Sequence, residues 1–372
     1  MNISFDAKRA FHNNRGLGNY SRNIIRLLNE YFPENQYYLF NPKPKNNIQI
    51  PIQLNNREIC PEKPLHKAFP DYWRSRGCLN QIISLHTDIY HGLSQELPIG
   101  INKTGAKSVV TMHDAIFMRY PELYDSFYRS IFIKKNQYSC NHADKIIAIS
   151  EQTKQDFINY FKVPQEKIEV VYQGCNNIFR EEISATKKTI VKAKYNLPED
   201  FFLNVGAIEK RKNVATIIEA IHRNKIDLPL VVIGNKTDYL KEVIELINKY
   251  DLQKQVLFLH HVETVDLPAI YNMAQLFIYP SIFEGFGIPI LEALCTGTPV
   301  ISSTESCFKE TGGPNSCYVD YDNPDEMGEK ILSILSDKTM QENMRITGLK
   351  HAENFKDEHV VKDLMQVYQS LI

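Results

Sequence analysis

No run of about 18 apolar residues occurs in the chain, so no membrane-crossing helix is expected. Nor is there a surplus of positive charge: 43 Lys and Arg stand against 44 Asp and Glu, a formal net charge of −1. Proteins that hold nucleic acid through its phosphates carry a clear basic excess, so no nucleic-acid partner is expected. Cys-x-x-Cys is absent as well. The seven cysteines, Cys60, Cys78, Cys140, Cys175, Cys295, Cys307 and Cys317, are odd in number and scattered. That argues against a disulfide framework or a zinc ribbon and fits a reducing cytoplasm. The opening residues, Met1-Asn2-Ile3-Ser4-Phe5-Asp6, meet an acid at once instead of running into the apolar stretch of a secretory leader. A cytoplasmic protein is the expectation. No internal repeat of solenoid period is visible.

What the chain does have is length and alternation. Its 372 residues suggest two domains at roughly 100–200 residues each. Residues 3–6, 36–40, 88–93, 108–112, 145–149 and 169–172 read as strands, with helices at 19–32, 126–143 and 151–161. Region 41–67, rich in Pro, Asn and Lys, reads as irregular. Region 181–189 is polar with little periodicity and reads as the linker. The second half alternates more regularly. Strands at 201–205, 230–233, 255–259, 276–279 and 299–302 are interleaved with helices at 213–224, 239–250, 266–274 and 289–296. Three helical patterns close the chain from about residue 324. Short apolar strands between helices imply a parallel sheet covered on both faces, doubly wound by right-handed crossovers. The expected fold is therefore α/β: two Rossmann-like domains facing across a cleft, at 1–180 and 190–350. In such sheets ligands sit beyond the carboxyl ends of the strands, so the segments that follow strands are the candidate sites.

Segment 281–299, S-I-F-E-G-F-G-I-P-I-L-E-A-L-C-T-G-T-P, follows a strand. Gly285 and Gly287 let the backbone approach a ligand closely, and Pro289 suits a first helical turn. The free N–H groups of that turn, with the helix dipole, favour an anion such as a diphosphate. Glu284 stands before the glycines. Glu292, eight positions on and about one turn into the helix, can accept hydrogen bonds from ribose hydroxyls. The Glu-x7-Glu spacing within E-G-F-G-I-P-I-L-E-A-L resembles the signature of the family-4 retaining glycosyltransferases, which have the GT-B fold. The resemblance extends over most of the chain. It implies that Glu284 lies near the transferred sugar and that Glu292 binds the donor ribose. It gives the donor phosphates to the amides near Phe286, Gly287 and Ile288. It also implies an acceptor-binding first domain, a nucleotide-sugar-binding second domain, and a final helix, 356–372, that crosses back to the first.

Four further segments follow strands. In V-G-A-I-E-K-R-K-N, residues 205–213, the cations can neutralise a leaving diphosphate; the resemblance assigns this role to Lys212, with Arg211 as its partner. Many members carry Arg directly after the glycine, where this chain has Ala207. The R-K-N variant is similar to a subgroup rich in mannosyltransferases of bacterial polysaccharide assembly. The loop 13–19 carries Gly16 and Gly18, and the resemblance lays it against the donor phosphates or the acceptor. His113 resembles the family histidine that contacts the transferred sugar, and His91 is a weaker version of it. Val262 falls in the backbone segment that the family uses to meet the base.

Three other groups invite different chemistry. Asp320-Tyr321-Asp322 matches a metal-binding Asp-x-Asp but reads as an acidic turn into a helix. His260 and His261 point to opposite faces of a strand end and cannot easily share a metal. Lys63, Lys67, Tyr72, Trp73, Arg74 and Arg76 form an aromatic-basic patch that either an anionic bilayer or water can face. The expectation is a metal-independent retaining hexosyltransferase, with Glu284 and His113 positioning the sugar and sharing charge. It would move mannose from GDP-mannose to a glycan or lipid-linked oligosaccharide in bacterial surface polysaccharide synthesis. It would use no cofactor beyond the nucleotide-sugar co-substrate, and peripheral contact with the inner face of the membrane is a candidate. A sugar-nucleotide epimerase of the same fold and a non-catalytic glycan- or nucleotide-binding subunit are the rivals. A dehydrogenase fits less well, because the first strand lacks a full G-x-G-x-x-G.

Overall fold

Seven short strands build the first sheet: β1 (Asn2–Asp6), β2 (Gln36–Phe40), β3 (Asn56–Ile59), β4 (Ile89–Gly92), β5 (Lys107–Met112), β6 (Lys145–Ala148) and β7 (Ile168–Val170). They lie in the order β3-β2-β1-β4-β5-β6-β7, every pair parallel. These positions come from a computed structural model, which describes residues 1–44 and 55–372. Side chains alternate across the sheet, and each face has its own partners. Val110 and Met112 join Trp73, Phe117 and Phe157 in one core. On the other face Thr111 meets Tyr20 and His91. Burial on both faces is why β5 and β6 read as nearly continuous apolar runs.

The second sheet holds β8 (Phe202–Val205), β9 (Leu230–Ile233), β10 (Val256–Leu259), β11 (Leu276–Tyr279), β12 (Val300–Ser303) and β13 (Cys317–Val319). The order is β10-β9-β8-β11-β12-β13, again all parallel. In both sheets the first strand lies inside, and the order reverses beside it, between β1 and β4 and between β8 and β11. Those are the switch points where doubly wound sheets take their ligands. No helix among the described residues is long and apolar enough to cross a membrane.

The chain divides into one unit of Met1–Gln173 with Asp357–Ile372, and a second of Gly174–Lys356. Its last helix, Asp357–Gln369, buries Val360, Val361, Leu364 and Tyr368 and packs on helix Gly16–Tyr31. Asp357 accepts a 2.6 Å ion pair from Arg26, and the Tyr368 hydroxyl meets His91 Nδ1 at 2.6 Å.

The boundary falls before the polar stretch 181–189 that reads as a linker. Ser184 caps a helix there, Ala185–Tyr195, and Val191 is the residue of it that is fully buried. Lys187 and Lys194 anchor the helix to buried Asp266. Region 41–67 also differs from the irregular reading. Residues 45–54 lie outside the described residues, but β3 and helix Pro64–Ala68 follow them.

Candidate active site

β8 and β11 are neighbours at the second switch point, and the segments that follow them are tied together. The Ile282 N–H donates to the Arg211 carbonyl at 2.9 Å, and Ser281 Oγ lies 3.2 Å from the same oxygen. A tight turn, Lys210–Lys212, ends at Asn213 in the left-handed region (φ 57°), which Asn tolerates. The Asn213 side chain fixes the turn by donating to the Tyr321 carbonyl at 2.7 Å.

That turn aims Arg211 and Lys212 at Glu284. One carboxylate oxygen, Oε1, accepts from Arg211 Nη1 at 2.7 Å, Ser281 Oγ at 2.8 Å, the Tyr279 hydroxyl at 3.0 Å and Lys212 Nζ. Lys212 also donates to the Tyr279 hydroxyl and sits 5.0 Å from that ring's centre. The side chains of Glu284, Lys212 and Arg211 are 15%, 14% and 21% exposed, so a ligand can still reach them. Burial alone would raise the Glu284 pKa. The Lys212 and Arg211 charges outweigh it and hold the group ionised, with a value of about 2. Lys212 is pushed down by burial and by its neighbour Arg211, against the pull of Glu284. Burial also opposes the Arg211 charge, but Glu284 more than offsets it.

Beyond the Glu284 loop, helix Ile288–Cys295 starts from Gly287 in the left-handed region (φ 89°), a conformation suited to glycine. The first turn leaves the Gly287 and Ile288 N–H groups without a partner among the described residues. Phe286 contributes backbone at this corner, since its ring is buried against Phe355. Glu292, half-buried, accepts from the Tyr271 hydroxyl at 2.9 Å. Burial raises its pKa to about 7 despite that hydrogen bond. Val262, half-buried, follows β10 at the sheet edge, beyond His260, whose Nδ1 pairs with the Gly234 carbonyl at 2.8 Å.

In the first unit, His113 ends β5 with its Nε2–H donating to the Leu93 carbonyl at 2.8 Å and Tyr20 edge-on at 4.7 Å. Burial lowers its pKa to about 4. The imidazole is therefore neutral at ordinary pH, and Nδ1 is its acceptor. In that form the ring can accept a hydrogen bond. The two glycines of loop 13–19 differ. Gly18 is a packing residue: a Cβ there would lie 1.7 Å from the Asn13 carbonyl oxygen. Gly16 faces open space and opens helix Gly16–Tyr31, three residues earlier than the apolar pattern indicates.

Two family models divide the chain: "Glycosyltransferase Family 4" matches residues 15–177 and "Glycosyl transferases group 1" matches residues 186–351. The chain belongs to the family-4 glycosyltransferases. The O-antigen chain mannosyltransferase B of Escherichia coli is 27% identical over 288 residues, 76% of this chain and 74% of that protein. The O-antigen chain mannosyltransferase RfbU of Salmonella typhimurium is 31% identical over 221 residues, 58% of this chain and 57% of that one. Among solved structures, Anabaena Alr3699/HepE in complex with UDP superimposes with a TM-score of 0.78 at 16% identity, covering 99% of each chain. That likeness shows the GT-B fold.

The remaining candidates in this glycosyltransferase have other duties. His91 is fully committed, with Nδ1 to Tyr368 and Nε2 to Thr111. It links the last helix to the sheet. Asp322 N–H donates to Asp320 Oδ1 at 3.0 Å in a turn before helix Pro324–Ser336. The aromatic-basic patch is partly internal: Trp73 is core, and Arg74 forks onto buried Asp6 while also pairing with Glu96. Sequence reasoning missed Tyr279 and Tyr271, the two phenols on the paired glutamates. Tyr279 carries one faint signal, a polar tip at the carboxyl end of a buried strand. Tyr271 carries none, because its partner lies 21 residues away.

Proposed function

We propose that this glycosyltransferase moves a hexose, with mannose from GDP-mannose favoured, onto a glycan or lipid-linked acceptor of a surface polysaccharide. The transfer retains the anomeric configuration and uses no metal ion. One observation carries the reading: Arg211 and Lys212 converge on ionised Glu284 at a switch point. A diphosphate gains negative charge as it leaves the sugar. Two fixed cations beside open helix amides meet that charge where a metal otherwise would. Glu284 keeps both cations aimed, and its Oε2 remains available to a sugar hydroxyl. Glu292 takes the ribose, with Tyr271 orienting its carboxylate. Neutral His113 accepts from a hydroxyl of the transferred sugar. The acceptor attacks on the face the diphosphate leaves, and a departing phosphate oxygen takes its proton. The mannosyltransferase relatives favour mannose, and the UDP-bound structural neighbour supports a nucleotide donor.

Thermal shift and donor turnover across GDP-, UDP- and dTDP-sugars, with and without acceptor, test the reading. GDP-mannose should give the largest shift, and the acceptor should gain one hexose. An epimerised donor formed without any acceptor would overturn it.

A further inference from the structure

Cys175 and Cys295 bring their sulfurs within 3.3 Å of each other across 120 residues of sequence. Both thiols are free and buried, and both belong to the second unit. Their access differs. Cys295 borders a cavity of 290 Å³ whose walls include Arg180, Lys350 and Glu353, and Cys175 does not line it. That is ample room for a small peroxide. Arg180 is held in this wall by donating to the Ala352 carbonyl at 2.8 Å. The hydrogen bond with Cys175 lowers the Cys295 pKa against the effect of burial, and the Arg180 charge lowers it further. The five cysteines outside the pair, Cys60, Cys78, Cys140, Cys307 and Cys317, are all raised by burial. The thiolate is the reactive form, so Cys295 is the sulfur that an oxidant meets first.

The two cysteines also reach both supports of Glu292. Cys295 is the last residue of helix Ile288–Cys295, less than one turn after Glu292. Cys175 leads into the turn Asn177–Arg180, where the Phe179 ring meets Tyr271 edge-on at 5.8 Å. Tyr271 in turn donates to Glu292. A bond between the sulfurs therefore ties the helix that carries Glu292 to the segment that packs on its phenol partner.

We propose that Cys175 and Cys295 form a peroxide-sensitive thiol pair whose reversible disulfide weakens nucleotide binding at Glu292. The Cys295 thiolate attacks one oxygen of a hydroperoxide and the O–O bond breaks. Cys295 becomes a sulfenic acid, and the other oxygen leaves, protonated, as water or an alcohol. The Cys175 sulfur then attacks the sulfenic sulfur. Its proton leaves with the displaced hydroxide as water, and the disulfide closes. The two sulfurs give up two electrons and the peroxide takes them. A dithiol reverses the bond by exchange. Closure draws the sulfurs from 3.3 Å to about 2.05 Å, and a close-packed interior passes that shift to the Glu292 helix and the Tyr271 contact. The thiol chemistry stands without the proposed function; only the effect on nucleotide rests on that reading.

The test treats the full chain with a small excess of hydrogen peroxide, counts its thiols and maps them by mass spectrometry. Two of the seven thiols should disappear into one linked peptide pair carrying Cys175 and Cys295, and dithiothreitol should restore both. Calorimetry with GDP and with UDP then compares the reduced and oxidised chains. Oxidation should weaken whichever nucleotide the reduced chain binds by roughly tenfold or more, the scale of losing one hydrogen bond to a charged group. C295S should bind that nucleotide equally well before and after peroxide. C175S, lacking the second sulfur, should leave a sulfenic acid on Cys295 that dimedone traps. Peroxide that oxidises other cysteines and leaves this pair as thiols overturns the proposal. So does a linked pair with unchanged nucleotide affinity. A reduced chain that binds neither nucleotide overturns the donor reading and the effect that rests on it, while the mapped bond still decides the thiol pair.

Discussion

Lys212 holds its ammonium between the Glu284 carboxylate and the Tyr279 phenol. A leaving diphosphate is more negative than the bound donor, so a cation here favours the transition state. Lys212→Ala should lower kcat by roughly 10²–10³-fold, the scale for losing one preorganised charge stabiliser. Lys212→Arg should recover little, because a planar fork does not replace a compact charge. Lys210, exposed in the same turn, is the control. If kcat falls as far for Lys210→Ala as for Lys212→Ala, the roles in this turn are misassigned. Glu292 supplies a pH test. Its folded value, about 7, lies above the ordinary 4.5, so its contribution to stability is greatest below 4.5 and is lost as pH rises towards 7. In the proposed role the carboxylate form is the one that accepts from ribose, so nucleoside affinity should instead rise through that window. Calorimetry should find this step in the wild type and not in Glu292→Gln. Glu292→Ala should cost roughly 1.5–3 kcal/mol of nucleotide affinity. An unchanged dissociation constant would remove Glu292 from the ribose. Glu284, Arg211 and Lys212 are legible in the sequence because each follows a strand end. The protonation state of His113 is not, since it depends on burial and on a carbonyl 20 residues away.

At the scale of elements, the start of helix Gly16–Tyr31 separates two glycines that look alike in sequence. Gly18→Ala must move the Asn13 carbonyl, and overpacking of this kind costs about 1–3 kcal/mol. Gly16→Ala meets nothing and should be neutral or stabilising by up to about 1 kcal/mol. Denaturant unfolding of both variants decides it, and equal losses would contradict the difference in packing. Strands β5, β6, β9 and β11 are legible because burial on both faces leaves nearly continuous apolar runs. β3, Asn-Arg-Glu-Ile, is not: at the sheet edge its middle residues are uncovered and the apolar run is missing. Helix Ala185–Tyr195 hides for a related reason. With Val191 its fully buried residue, it has too little apolar face to set a period, and ion pairs to Asp266 hold it instead.

Across the whole molecule, two parallel sheets of related order each place their loops at a switch point. That much follows from the alternation of strand and helix. The return of residues 357–372 to the first unit does not follow from local pattern, because an amphipathic stripe states that it needs a partner without naming one. Chemistry at this scale is read from the product. The enzyme should be given its nucleotide-diphosphate hexose and an acceptor in excess EDTA, and the new linkage identified by the anomeric signals in proton NMR. Cations held by Glu284 in place of a metal, with attack on the leaving-group face, predict undiminished turnover and a linkage of the donor's own anomeric configuration. Turnover that stops with EDTA and returns with Mn²⁺ or Mg²⁺, or a product of inverted configuration, would contradict it.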